Sequence, residues 1–229
     1  MRRKISLVLK ILVVLCSLGG VLLNFVNASR DGYGRWWNTL LYFTGQSNIW
    51  LGLTFIAVLI INSIKGGHVE KIKKTAYIFK YIFTVCITIT CIVFSVFLAP
   101  FAPPEYHLFV FSSFLTHIFA PTFAVIDFFV DEYKIKFTKK SAWLCVIPPF
   151  IYTVVVCFLV GFRVDFGRGD FFPYYFFNFY SPAGMFGFSL IPPYFAGTFY
   201  WVVMLALMVF GIGRLYARFK NPAEKTSKR

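Results

Sequence analysis

Six long apolar stretches constrain this chain more than any other feature. Each is close to or above the roughly 20 residues that an α-helix needs to cross the hydrocarbon core of a bilayer. We place them at residues 5–25, 38–63, 77–99, 107–130, 142–162 and 187–213. We expect the first to be a retained helix and not a cleaved signal peptide, because no small-residue cleavage site ends it before Asn24. The sequence therefore predicts an all-α membrane protein: a six-transmembrane-helix bundle that forms a single polytopic domain over residues 1–229.

The basic residues concentrate at one end of these stretches. Seventeen Lys and Arg residues lie before the first stretch, in the second and fourth loops, and after the last stretch: Arg2, Arg3, Lys4, Lys65, Lys71, Lys73, Lys74, Lys134, Lys136, Lys139, Lys140, Arg214, Arg218, Lys220, Lys225, Lys228 and Arg229. The remaining loops hold only four: Arg30, Arg35, Arg163 and Arg168. The positive-inside rule then predicts that both termini are cytosolic. The net charge of +14 is thus explained by membrane topology. We expect membrane lipids as partners and no nucleic acid.

Neither the cysteines nor the histidines form a metal-binding pattern. All five cysteines lie inside apolar stretches, without CxxC spacing, and are expected to be small hydrophobic core residues. The three histidines are scattered at His68, His107 and His117, and none has a second ligand at metal-binding spacing. No metal and no other cofactor is expected.

Two polar residues at membrane depth mark the candidate site. Thr44 lies eight residues inside the second helix, counted from Trp36, and His117 lies ten residues inside the fourth, counted from His107. At 1.5 Å per residue these depths are about 12 Å and about 15 Å from the same side of the membrane. Because polar groups in lipid are unfavourable, both side chains are expected to face the interior of the bundle.

Helical spacing extends each residue into a polar stripe. Thr44, Ser47 and Asn48 share one face of the second helix, and Ser113, His117 and Pro121 share one face of the fourth. A neutral imidazole can accept the proton of a hydroxyl that attacks an ester carbonyl. We therefore predict Thr44 as the nucleophile and His117 as the general base. An amide donor to the oxyanion is expected from Asn48 or Gln46, of which Asn48 is better placed.

Structural roles are the alternative for each of these residues. Thr and Ser in membrane helices often bond to a backbone carbonyl one turn back, and a lone histidine can be a structural hydrogen-bonding group. The matched depth of Thr44 and His117 is what favours catalysis. Asp127 lies about 15 Å beyond His117 along the helix. It is expected to be an inward-facing structural acid paired with a nearby Lys.

The loop at residues 162–186 is long, rich in Phe and Tyr, and interrupted by Gly and Pro. So many aromatic side chains are unfavourable in water. Two arrangements remain open: the loop lies in the membrane interface, or it folds over the outer mouth of the bundle as a lid. We predict that it covers the mouth of the pocket.

These residues resemble a known family. Tyr42, Phe43 and Thr44 in the second helix, and His117 followed by Pro121 and Asp127 in the fourth, are similar to the six-transmembrane androgen-induced and androgen-dependent TFPI-regulating protein family. The aromatic run FFPYYFFN before the sixth helix adds to the resemblance, and the GQSN run after Thr44 is similar to the small bacterial members of unassigned function. The resemblance covers nearly the whole chain.

The resemblance implies a function and a location. Animal members are threonine hydrolases that cleave fatty acid esters of hydroxy fatty acids, which would place the nucleophile at Thr44 and the base at His117. The bacterial branch implies a bacterial plasma membrane.

Two other function classes remain beside a lipid ester hydrolase. The first is a non-catalytic protein that binds a lipid or small amphiphile in the same pocket. The second is a transporter, against which stand the lack of internal repeats and of charges paired along a path. For the hydrolase and for the binding protein alike, the small-molecule partner is expected to be lipid-like.

Overall fold

The protein is a bundle of helices. The computed structural model describes residues 1–64, 69–102 and 110–221. Within these ranges six helices are long and apolar enough to cross a membrane: α1 (Arg2–Asn27), α2 (Phe43–Ser63), α3 (Val69–Phe101), α4 (Phe111–Val130), α5 (Lys139–Gly161) and α6 (Thr198–Lys220). The predicted all-α six-helix bundle is confirmed, and its length and composition are those of a multi-pass membrane protein.

The predicted start of the second helix at residue 38 is wrong. Residues Trp36–Leu41 form a separate 3-10 helix, and Tyr42 has an extended backbone before α2 begins. This short turn is as apolar as the helix that follows, so hydropathy alone does not separate the two. The break is important because it places Thr44 in the first turn of α2.

Three other boundaries differ from the prediction by seven residues or more. The third helix begins at Val69, eight residues early, because its first turns are a polar, Lys-rich extension of the apolar span. The last helix begins at Thr198, not at 187, and ends at Lys220, not at 213. The intervening segment is apolar, but it folds back on itself through an antiparallel bridge between Phe188 and Ala196 instead of forming a helix. The predicted start of the fourth helix at residue 107 lies outside the described residues.

Hydrogen bonds between loops define the two ends of the bundle. At the end where α1 begins and α6 ends, the Asn221 side chain bonds the backbone N–H and carbonyl of Phe137, just before α5. We call this the basic end. At the opposite end the Arg168 N–H donates to the carbonyl of Gly32 at 2.7 Å. We call that the aromatic end.

The core lies around α3, which contacts α2, α4, α5 and α6, while α1 packs against α2 and α4. Close approach of α1 to α4 depends on Gly20, since a Cβ there would lie 2.6 Å from Cγ2 of Thr116. Small residues at such contacts are typical of helices packed within a membrane. The contact at Gly20 seats the part of α4 that carries His117.

Four charged side chains form a buried cluster near the basic end. Lys10 of α1 and Lys80 of α3 pair with Asp127 of α4 and with Asp131 just after it, at Nζ to Oδ distances of 2.5–3.0 Å. All four side chains are at least nine-tenths buried. The cluster joins three helices with no net charge, and the prediction that Asp127 pairs with a Lys is confirmed.

Two helices contain a π-helical segment, where the turn widens. These segments are Val93–Leu98 in α3 and Leu115–Phe119 in α4. In the second, the Ala120 N–H donates to the carbonyl of Leu115, five residues back. Such segments are often found at functional sites. Here they meet, because the ring of Phe94 stacks on the ring of His117 at 3.9 Å between centroids.

Candidate active site

Thr44 lies in the first turn of α2, close to the aromatic end. The Gln46 N–H donates to the carbonyl of Tyr42, which starts the helix. Gly45 lets the preceding 3-10 helix fold against this turn, since a Cβ on it would lie 2.7 Å from the carbonyl oxygen of Thr39. The first backbone N–H groups of a helix have no partner within it. In α2 two tyrosine hydroxyls accept from them: Tyr152 from the Phe43 N–H and Tyr174 from the Thr44 N–H.

His117 faces Thr44 across the bundle. Its Nε2 lies 3.2 Å from Oγ1 of Thr44, as the sequence predicts. Its Nδ1 lies 3.0 Å from the carbonyl oxygen of Ser113. Because a carbonyl oxygen only accepts, Nδ1 carries the hydrogen and Nε2 of the neutral ring presents its lone pair to Thr44. This tautomer is the one that a general base requires.

Thr116 supports the same arrangement. Its hydroxyl donates to the carbonyl of Ser112 at 2.9 Å and lies 3.1 Å from Nδ1 of His117. Because the Thr116 hydroxyl donates its hydrogen to the Ser112 carbonyl, its oxygen is free to accept the hydrogen bond from Nδ1–H of His117. Two acceptors therefore hold the imidazole orientation. Ser113, expected to contribute a polar side chain to the pocket, lines it and also supplies the carbonyl that fixes the tautomer.

The expected role of Asn48 as oxyanion donor is wrong. Its Nδ2 donates to the carbonyl of Thr44 at 2.9 Å and to the carbonyl of Thr116 at 3.2 Å. Both amide hydrogens are therefore in use, and Asn48 is fully buried between the helices. Asn48 instead connects the backbone that carries the hydroxyl to the π-helical segment that carries the imidazole.

Ser47 and Gln46 also have structural contacts. The Ser47 hydroxyl bonds the carbonyl of Thr44 at 3.2 Å and the hydroxyl of Thr90 on α3 at 3.3 Å. Gln46 Nε2 donates to the carbonyl of Leu40 at 2.8 Å and so holds the 3-10 helix against α2. Neither side chain reaches His117, so their supporting role is to fix the first turns of α2.

The aromatic loop, which spans residues 162–197, folds over the site. Phe166, Phe176 and Phe177 are buried against α5 residues that include Tyr152 and Val156. Phe172, Tyr174 and Tyr175, all within the predicted range 162–186, line the cavity that contains Thr44 and His117, so the prediction that this loop covers the pocket is confirmed. Its attachment needs a glycine at Gly167, where φ is +88° and a Cβ would lie 2.7 Å from the backbone of Tyr33.

The loop also supplies Tyr174, which the sequence analysis did not identify. Burial raises the pKa of Tyr174 to about 12, although a hydrogen bond from the backbone N–H of Thr44 lowers it in part. At neutral pH this hydroxyl is therefore protonated and able to donate. The ring packs edge-on against Tyr42 at 5.7 Å. Nothing in the run PYYFFN distinguishes Tyr174 from Tyr175, because a loop has no periodicity that fixes which side chain points inward.

Two cavities meet at Thr44. The first, the vestibule, opens toward the aromatic end, has a volume of about 350 Å³, and contains His117 and Ser113 in its wall. The second, the slot, has a volume of about 80 Å³ and lies between α3, α5 and α6. Thr44 and Tyr174 line both. A hydroxyl, an imidazole and a phenol thus surround a point that a bound molecule can reach.

The site has the groups needed for attack on a carbonyl: a hydroxyl, a neutral imidazole in the accepting tautomer, and a tyrosine hydroxyl that can donate. Asp127, which lies in the buried charge cluster, is not one of these parts. Comparison of the chain with protein-family models, with curated proteins and with solved structures gave no match.

Proposed function

We propose that the protein is a membrane-embedded threonine hydrolase of lipid esters, with Thr44 as nucleophile and His117 as general base. The observation that carries the proposal is the 3.2 Å contact between Thr44 Oγ1 and His117 Nε2, with Nδ1 held on the Ser113 carbonyl. The Ser113 carbonyl fixes the tautomer in which Nε2 can accept the proton of the Thr44 hydroxyl.

The reaction has two halves. Nε2 takes the proton as Oγ1 of Thr44 bonds to the ester carbon, and the carbonyl oxygen becomes an oxyanion near the Tyr174 hydroxyl. The C–O bond to the alcohol breaks, the alcohol leaves with the proton from Nε2, and an acyl-threonine remains. Water, deprotonated by the same nitrogen, then releases the acid and restores Thr44.

The resemblance to the androgen-induced family supports the same pair of residues in the same roles. It rests on short motifs around Thr44 and His117 in apolar sequence. The contact between these two side chains was predicted from helix depth and face as well.

The test is hydrolysis of a panel of acyl esters, with acids from acetate to laurate, by purified protein in detergent. Thr44→Ala and His117→Ala should each abolish turnover, the double variant should be no worse than either, and Thr44→Ser should keep part of it. Thr54→Ala, which alters another threonine of α2 away from the site, is the matched control. Wild-type turnover by Thr44→Ala would exclude Thr44 as nucleophile.

A non-catalytic binder of lipids or amphiphiles is the second candidate, favoured by the two cavities themselves. A folded wild-type protein that hydrolyses no ester of the panel, yet is stabilised by those esters in thermal melts, would favour it. The transporter class has no specific observation in its favour.

The proposed setting is a bacterial plasma membrane with the basic end in the cytosol and the active site near the outer face. The support is the seventeen-to-four distribution of Lys and Arg between the two ends. Single cysteines at the exposed positions Ser29 and Glu132, in a background without the native cysteines, would test it. A membrane-impermeant maleimide should label Ser29→Cys and not Glu132→Cys on intact cells, and the reverse would overturn the topology.

A further inference from the structure

The slot and the vestibule differ in chemistry. The slot is lined by aliphatic and aromatic side chains of α3, α5 and α6, among them Ile89, Val93, Leu205 and Val209, and none of the described residues that line it is charged. The vestibule contains Asp31, Arg168 and Asp170 in its wall. A molecule that spans both cavities through Thr44 therefore has one apolar half and one polar half.

The position of the base decides which half is which. In ester hydrolysis the proton taken from the nucleophile is returned to the oxygen of the leaving alcohol, so the alcohol lies on the side of the base. His117 lines the vestibule and is not among the residues around the slot. The acyl carbon is bonded to Thr44, at the junction, and the acyl chain then extends away from His117.

We propose that the slot binds the acyl chain and the vestibule binds the alcohol, so that the substrates are esters of a short apolar acid with a polar alcohol. This rests on the proposed hydrolase function and specifies its substrate class. The volume of the slot sets the acyl length, because about 80 Å³ is roughly half of the 150 Å³ cavity that binds benzene. By this comparison the slot suits the chain of roughly three carbons in a butyryl group and not the much longer chain of a lauroyl group.

Two series of esters separate the cavities experimentally. The first keeps glycerol as the alcohol and varies the acid from acetate through butyrate and octanoate to laurate. The second keeps butyrate as the acid and compares glycerol with ethanol, butanol and octanol. Wild-type kcat/KM should be highest for butyrate in the first series and about tenfold lower for laurate. In the second series it should be highest for glycerol.

Variants of α6 then test the slot directly. Ala206→Leu adds bulk to the slot wall and should lower kcat/KM for butyrate about tenfold relative to acetate, because one methylene in an apolar pocket has an effect of this size. Leu205→Ala enlarges the slot and should move the optimum toward octanoate. Ala57→Leu is the matched control, since Ala57 is a half-buried alanine of α2 outside both cavities, and its acyl profile should equal the wild type's. Thermal melts show which variants fold.

Each outcome has one reading. An acyl optimum that shifts in opposite directions in the two α6 variants, with the alcohol series unchanged, supports the assignment. Thr44-dependent hydrolysis with a flat acyl profile, or an alcohol profile that changes in Ala206→Leu while the acyl profile does not, overturns the assignment and leaves the hydrolase function standing. Absence of hydrolysis by wild type in both series overturns the hydrolase function and the substrate assignment with it.

Discussion

Lys80 forms an ion pair with Asp127 in which Nζ lies 2.5 Å from Oδ2, and at most 1% of either side chain is exposed. Such a pair is weak support for net stability, yet removal of one partner leaves a buried charge. We expect Lys80→Met to destabilise the protein by about 3–5 kcal/mol, measured by thermal or denaturant unfolding in detergent. The double variant Lys80→Met with Asp127→Asn removes one charge of each sign and should recover part of the loss. A single variant as stable as wild type would show that the cluster does not hold the helices together.

The same cluster makes stability depend on acid. Burial raises the pKa of Asp131, but Lys80 and Lys10 have the larger opposing effect and hold it well below its usual range. A carboxyl with a depressed pKa in the folded state stabilises the fold above its unfolded pKa of about 4, and this contribution is lost as pH falls below that value. Melting temperature should therefore fall from about pH 5 downward. In Asp131→Asn it should be lower at neutral pH and fall less steeply in acid. Equal slopes for the two proteins would contradict the assignment.

The six helices could be predicted from the sequence because a membrane span is a matter of length and apolar composition. The helix starts could not. The 3-10 helix Trp36–Leu41 and the segment before Thr198 are as apolar as true spans, so hydropathy merges them with the helices that follow. Backbone geometry, not composition, separates them.

The contact between Thr44 and His117 could be predicted because polar side chains at membrane depth face the interior of the bundle, where two of them at equal depth can meet. The fine structure around them could not. The π-helical segment Leu115–Phe119 has no amino-acid composition that distinguishes it from an α-helix. It changes which backbone carbonyls are left to accept hydrogen bonds from side chains. The role of Asn48 could not be predicted, because the sequence identifies an amide donor but not the backbone carbonyls to which it donates.

The close packing of Gly45 against the 3-10 helix is expected to fix the position of Thr44. In Gly45→Ala the new Cβ would lie 2.7 Å from the Thr39 carbonyl oxygen, so the first turn of α2 must shift and carry Thr44 away from His117. We expect a large fall in kcat with a smaller change in melting temperature. Gly19→Ala is the matched control, because a Cβ there meets no atom within 4 Å, and a helical Gly→Ala should stabilise by about 0.5–1 kcal/mol. Unchanged turnover in Gly45→Ala would count against the importance of this turn.

The Tyr174 hydroxyl should stabilise the oxyanion by donating a hydrogen bond to it. Tyr174→Phe keeps the ring and removes the hydroxyl, and we expect a fall of about 100- to 1,000-fold in kcat, the usual effect of losing one such donor, with little change in KM. Tyr180→Phe, the same change at an exposed position of the same loop, should be neutral in both. If Tyr174→Phe raised KM and left kcat unchanged, Tyr174 would bind substrate without stabilising the transition state.

Covalent labelling of Thr44 tests the central claim most directly. A fluorophosphonate transfers its phosphonyl group to a hydroxyl that a neighbouring base has activated, and the fluoride leaves. Peptide mass spectrometry of the labelled wild-type protein should place the adduct on Thr44, and both Thr44→Ala and His117→Ala should remain unlabelled while folded. An adduct on another residue would contradict the assignment of Thr44 as nucleophile. Labelling of Thr44 in His117→Ala to the same extent as in the wild type would contradict the assignment of His117 as its base.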